Sequence, residues 1–314
     1  MKKNSCLGLI CTVVIALFAF SACSDTVSDD ESDANSSGNS SNKDNLLFSE
    51  QTGMEPYACK GAFAGKTVDI YYYIPSGDIK KMPVQFVMHG MDRNGDKYRD
   101  DWIELADKYG FVVLAPQFSL EEFSEQAYQQ GNVVDESGAF VSPDSMTYPI
   151  ISEVFHYFLE HSESQAKKYN IYGHSAGAQF VHRYLLFNKT PDVDRAISAN
   201  AGWYTYPTED IDYPYGMGES AALIGIDVDS YYGKNLTILL GEADTLRTES
   251  LNQSKKADAQ GLTRLERGGN FFEFCRKDAA DRNTTFKWKK AYVAGVGHSD
   301  SKMAPEAARL LYGE

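Results

Sequence analysis

Cysteine is scarce in this chain of 314 residues, with five in all, and Cys6, Cys11 and Cys23 stand near the N-terminus. Only Cys59 and Cys275 remain for the body of the chain, which excludes a disulfide-built scaffold. Histidine is nearly as rare, with six residues. No group of His, Cys and carboxylate has metal-ligand spacing; Asp227-Val228-Asp229 is the nearest acidic pair and reads as a solvated turn. No glycine-rich loop has phosphate-binding spacing, so no nucleotide or redox cofactor is implied. Basic residues are outnumbered by carboxylates, 30 to 44, for a formal net charge of −14. That balance disfavours nucleic acid and anionic membrane surfaces as partners. No apolar run reaches the roughly 20 residues of a membrane-spanning helix, and no internal repeat is visible.

What is present begins with an address. Lys2 and Lys3 precede an apolar run over residues 7–20, followed by Ser21-Ala22-Cys23. Short, apolar and ending in small residues, residues 1–22 read as a cleaved targeting segment. Phe20-Ser21-Ala22-Cys23 resembles a bacterial lipoprotein cleavage box, which implies a lipid on Cys23 and a bilayer as partner. A plain secretory signal that leaves Cys23 free is the alternative. Residues 23–52 are rich in Ser, Asn, Gly and Asp and almost without apolar side chains, so they cannot offset their ordering entropy and read as an acidic tether. Ser28-Asp29-Asp30-Glu31 is similar to the acidic export signal of some surface lipoproteins. The expected location is extracytoplasmic and lipid-anchored, with display on the cell surface as a further expectation.

Residues 53–314 suit one large α/β domain. Strands are expected over 57–63, 67–74, 84–88 and 111–115, then over 170–174, 196–200, 236–240 and 286–293. Helical spacing of apolar residues predicts helices over 98–109, 149–167, 176–187 and 305–311, with further helix between 249 and 281. Strand and helix alternate, which predicts a mostly parallel sheet of about eight strands with helices on both faces. In such sheets chemistry gathers at the C-terminal strand ends. Two long connections, 117–147 and 201–235, are candidates for cap-like insertions. The second carries Trp203, Tyr204 and Tyr206, read either as a substrate wall or as ordinary loop packing.

Gly173-His174-Ser175-Ala176-Gly177 has the pattern of a nucleophile elbow, a sharp strand-to-helix turn in which only small residues fit two positions either side of the serine. A serine hydroxyl needs a base, and the base an orienting carboxylate. Asp244 follows the strand at 236–240, with Glu242 as the nearby alternative, and His298 follows the last strand in a glycine-rich loop. Backbone amides of Ala176 and of Met91, in the loop that begins His89-Gly90, are the candidate oxyanion donors.

Together His89-Gly90, the elbow, Asp244 and Gly297-His298 resemble the α/β-hydrolase fold. Within it they are similar to the esterase branch that holds poly(3-hydroxybutyrate) depolymerase-like and feruloyl-esterase-like enzymes. The resemblance implies a serine esterase that works through an acyl-enzyme on a polymeric, oligomeric or acyl-carbohydrate ester without a cofactor. A peptidase or lactonase of the same fold, or a non-catalytic glycan- or polymer-binding surface lipoprotein, are the alternatives, and the oligomeric state is open. On this sheet Cys59 and Cys275 belong to opposite edges, roughly 34 Å apart at 4.8 Å per strand, so two free thiols are expected.

Overall fold

The computed structural model describes residues 46–189, 192–218, 220 and 224–313. The chain enters with Leu47 and Phe48, whose amides both donate to the His161 carbonyl. Phe48 is buried between Tyr72 and Phe158, with ring centroids 5.0 Å from each, so packing begins ahead of residue 53. Strands β1 (Thr52–Ala58) and β2 (Thr67–Tyr73) pair antiparallel. The first strand stops at Ala58 rather than reaching 63, because Gly61 takes a left-handed conformation and turns residues Gly61–Phe63 into a single 3-10 turn.

Strand β3 (Val84–Met88) is buried throughout and leads to two short helices, α1 (Gly95–Asp100) and α2 (Ile103–Tyr109), where the sequence pattern predicts one. The interruption coincides with complete burial of the Trp102 ring against Phe111 and Tyr172. Then follow β4 (Val112–Gln117), α3 (Glu125–Gln129), α4 (Pro149–Glu160), β5 (Tyr169–His174), α5 (Ala176–Phe187) and β6 (Val193–Ala199). The chain ends with α6 (Val228–Tyr232), β7 (Leu236–Gly241), α7 (Lys255–Asp258), α8 (Arg264–Asp281), β8 (Lys289–Val293) and α9 (Asp300–Tyr312).

The strands form one eight-stranded sheet in the order β1-β2-β4-β3-β5-β6-β7-β8, parallel from β4 to β8. One face is covered by α2 and α9, through Trp102, Tyr172, Leu239, Met303 and Leu311. The other face packs α4, α5 and α8, through Val154, Phe180, Phe271 and Ile238. A parallel sheet buried on both faces accounts for the unbroken apolar runs in its strands.

Both long connections pack down onto this second face. Arg183 of α5, wholly buried, binds both: Nε donates to Thr205 Oγ1 at 2.7 Å, Nη1 to the Gln129 carbonyl at 2.8 Å, and the guanidinium lies 4.1 Å from the Trp203 ring centroid. Cys59 and Cys275 are free and buried. Among the described residues no helix is long and apolar enough to cross a membrane.

Candidate active site

Strand β5 turns into α5 at Ser175, which adopts φ 57° and ψ −114°. A left-handed backbone at a residue with a side chain is strained, and here the packing around the turn holds it. A methyl group on Gly173 would lie 2.2 Å from the Gly177 carbonyl oxygen, and one on Gly177 would lie 2.1 Å from the Met88 carbonyl oxygen. The two glycines are therefore required by contact between backbones. In an exposed helix, Gly→Ala would stabilise by about 1 kcal/mol. Gly177→Ala is instead expected to destabilise by about 3 kcal/mol, since β3 would have to move away from α5; urea unfolding against the parent protein measures it.

Three strand ends converge on Ser175. His298 Nε2 lies 2.9 Å from Ser175 Oγ, and His298 Nδ1 lies 2.8 Å from Asp244 Oδ2. An ionised carboxylate only accepts, so Nδ1 carries the proton and donates it to Asp244, which leaves Nε2 to accept from the serine hydroxyl. It is Asp244, 2% exposed, and not the exposed Glu242, whose carboxylate meets the imidazole. The loops bearing acid and base are hydrogen-bonded to each other, from the Glu242 amide to the Val293 carbonyl at 3.1 Å and from the Ala243 amide to the Val296 carbonyl at 2.9 Å.

Two residues that sequence reasoning missed complete this scaffold. Asn200, at φ 51° just past β6, accepts from the Gly241 amide at 2.8 Å and donates to the Gly297 carbonyl at 3.3 Å. It thus ties the end of β7 to the loop that holds His298. Arg264, 2% exposed, places Nη1 3.6 Å from Asp244 Oδ1. Its position was legible as a helix start, since Thr263 and Glu266 form a capping box. Its charge partner, 20 residues earlier in the chain, left no local signal.

His174 packs beside the imidazole of His298, with ring centroids 4.6 Å apart, and its Nδ1 lies 3.2 Å from Tyr98 Oη. Burial, with the Arg264 and Lys97 charges adding, holds His174 well below its ordinary pKa and therefore neutral. His89 is neutral for the same principal reason, with its pKa lowered to about 3 by burial. Its Nε2 accepts from the Phe118 amide at 3.0 Å, so Nδ1 is the nitrogen that donates to the Gly90 carbonyl at 2.9 Å. His89 thereby shapes the loop in which Met91 stands. A methyl on Gly90 would come within 3.9 Å of Ser175 Cβ, which puts this loop beside the serine. Ala176, first residue of α5, has no intrahelical acceptor for its N–H.

Trp203, Tyr204 and Tyr206, expected as a possible wall for substrate, are 6%, 0% and 8% exposed. Tyr204 stacks on Phe271 at 4.4 Å, Tyr206 packs edge-on to Phe271 and Phe274, and Trp203 lies over Arg183. They hold the connection onto α5 and α8, as the packing alternative expects. Cys23 lies outside the described residues, and among those described no group of three or more His, Cys, Asp or Glu is placed to hold a metal.

Asp300, two residues past His298, accepts from Tyr172 Oη at 2.7 Å. Burial lifts its carboxyl to about 7, with Asp101 adding and Tyr172 and Lys97 opposing. Between about pH 4 and 7 the unfolded chain therefore releases a proton that the folded chain retains, and the folded state loses stability as pH rises through that window. Asp300→Asn keeps an acceptor for Tyr172. It should raise stability at pH 8 by on the order of 3 kcal/mol and change little at pH 3.5, by urea unfolding at each pH.

The model of the family described as esterase PHB depolymerase matches residues 68–267, a span that includes the elbow and Asp244. The chain belongs to this PHB depolymerase esterase family. It is an ester hydrolase of the α/β-hydrolase fold. Poly(aspartic acid) hydrolase-1 from Sphingomonas sp. KT-1 is 36% identical and superposes with a TM-score of 0.77 over 84% of this chain and 100% of its own. LpqC, a poly(3-hydroxybutyrate) depolymerase from Bordetella parapertussis, is 30% identical, with a TM-score of 0.78 over 83% of this chain and 90% of its own. The siderophore hydrolase EstB from Aspergillus nidulans, 12% identical with a TM-score of 0.54 over 84% and 96% of the two chains, shares the fold alone. No curated protein matches the sequence.

Proposed function

We propose that this protein is a lipid-anchored extracytoplasmic esterase that cleaves neutral polyester or oligoester chains with Ser175 as nucleophile. The observation that carries the reading is the continuous hydrogen-bond path from Ser175 Oγ through His298 to Asp244. In the proposed mechanism His298 takes the hydroxyl proton as Ser175 attacks the ester carbonyl. The amides of Met91 and Ala176 stabilise the oxyanion, and His298 returns the proton to the leaving alcohol. Water then releases the acyl group by the same sequence in reverse, and Asp244 holds the imidazole tautomer throughout.

The surface around Ser175 favours a neutral, partly apolar chain. Met91, Leu120 and Leu246, 44%, 64% and 68% exposed, stand on the loops that leave β3, β4 and β7. The same loops carry Asp92, Glu121, Glu242 and Glu249, all exposed, against one exposed cation, Arg247, which pairs with Asp258 at 3.0 Å, so their balance would repel a polyanion. The 36% identity to a poly(aspartic acid) hydrolase supports a second reading, hydrolysis of a polyanionic amide. A feruloyl ester gains no support from the buried aromatic side chains of residues 203–206. Cys23 as the lipidated N-terminus of an acidic tether, after removal of residues 1–22, completes the proposal; Cys23→Ala should move the protein from the membrane fraction to the soluble one.

Incubation with a hydroxybutyrate oligomer, p-nitrophenyl butyrate, methyl ferulate and poly(aspartic acid), beside fluorophosphonate labelling mapped by mass spectrometry, tests the assignment. The expected result is turnover of the first two, an intact poly(aspartic acid), and a label on Ser175. Preferred cleavage of poly(aspartic acid) would overturn the charge argument, and a label elsewhere would overturn the nucleophile.

A further inference from the structure

The net charge of −14 averages over an uneven surface. At the end of the sheet where the parallel strands begin, Arg195, Lys287 and Lys289 line a crevice of about 210 Å³ with Leu310 and Leu311. Two adjoining crevices add Lys168 and Lys234, together with Asp194. Four exposed cationic side chains, Lys168, Arg195, Lys287 and Lys289, thus gather around Asp194, while Lys234 donates to the Leu185 and Asn188 carbonyls. Arg195 Nε reaches Asp194 only at 3.8 Å, and neighbouring Asp192 sits 3.9 Å from His156. Lys168, Lys287 and Lys289 are exposed and have no ion-pair partner among the described residues. A cluster of like charge on an otherwise acidic molecule raises the local potential and selects an anionic partner.

Two features of the chain say which partner. Residues 46–48 enter at this same pole, held at the carbonyl of His161 between α4 and β5. Lys168 immediately precedes β5 and Ser175 immediately follows it, so the cationic and catalytic poles lie a strand length apart, about 20 Å at 3.3 Å per residue. The chain between Cys23 and residue 46 is long enough to span up to about 80 Å. A domain tethered at that length stays within reach of the leaflet that holds its lipid.

We propose that the strand-N-terminal pole, through Lys168, Arg195, Lys287 and Lys289, seats on the anionic headgroups of the leaflet carrying the Cys23 lipid, and presents Ser175 away from the bilayer. The choice of leaflet rests on the lipoprotein reading above; the affinity for anionic headgroups does not. Phosphate groups of lipid meet exposed lysine and arginine there, as for other basic juxtamembrane surfaces, and the attraction falls off within a Debye length. The acidic loops around Ser175 are repelled by the same surface, which sets the orientation.

The test uses the unlipidated chain from Ser24 onward with sedimented vesicles of phosphatidylcholine alone or with about a third phosphatidylglycerol, near physiological salt and at about 0.5 M NaCl. Binding to the anionic vesicles at least about tenfold above the zwitterionic ones, and lost at high salt, is expected. The triple variant Arg195→Glu, Lys287→Glu and Lys289→Glu should lower that binding about tenfold while p-nitrophenyl butyrate hydrolysis in solution is unchanged. Equal binding to both vesicles, no binding, or a triple variant that sediments like the parent would each overturn the proposal. Because this protein carries no lipid, failure of lipidation at Cys23 would be seen separately, in the membrane fractionation of Cys23→Ala.

Discussion

Ser175→Ala is expected to lower kcat for p-nitrophenyl butyrate by roughly 10⁴- to 10⁶-fold while leaving the unfolding free energy within about 1 kcal/mol of the parent. The size of the loss follows from the path of the proton. With the hydroxyl gone, His298 has no nucleophile to deprotonate at 2.9 Å, and what remains is substrate binding and the oxyanion amides. Stability is expected to hold because alanine takes the same φ of 57° at no greater cost than serine, and the turn is enforced by Gly173 and Gly177. A variant that keeps more than about one hundredth of the parental kcat would remove Ser175 from the mechanism.

Asp244→Asn carries the second largest effect, and it is expected in two measurements at once. An asparagine that offers its amide N–H₂ to the imidazole favours the tautomer with the proton on Nε2, which cannot accept from Ser175, so kcat should fall about 10⁴-fold. The same change leaves Arg264, 2% exposed, beside a neutral side chain. Removing one partner of a buried ion pair costs about 3–5 kcal/mol, which should appear in the urea midpoint. Adding Arg264→Met to Asp244→Asn separates the two effects: stability should recover and activity should not. If kcat falls by less than about tenfold, Glu242 or another acid orients His298.

Much of the candidate site was legible because its signals are short in range. The elbow pattern follows from the contacts that residues 173 and 177 make with the backbone, so glycine at both positions is dictated within five residues of chain. Asp244 follows an apolar strand, His298 stands in a glycine-rich loop after the last strand, and the alternation of strands and helices announced the parallel sheet. Boundaries fared less well where a tertiary contact competes with local pattern. Trp102 divides the expected helix by turning inward, and Phe48 extends the packed domain into a stretch that composition had given to the tether.

What remained hidden depends on partners far along the chain. The residues at 203–206 have the composition of a substrate wall, yet Phe271 and Arg183 claim their faces. Arg264 meets Asp244, and Asn200 meets Gly241 and Gly297, across separations that carry no sequence period. Composition likewise reported one net charge, while the cationic pole arises only when the segments that begin β5, β6 and β8 are brought side by side. The sequence by itself therefore determined the sheet, the strained turn at Ser175 and the order of the candidate acid and base, because each rests on covalent neighbours within a turn or a strand. Only the tertiary structure decided which side chains support that site, which merely pack, and where charge gathers, because burial and Coulomb interaction depend on distance in space and not on distance along the chain.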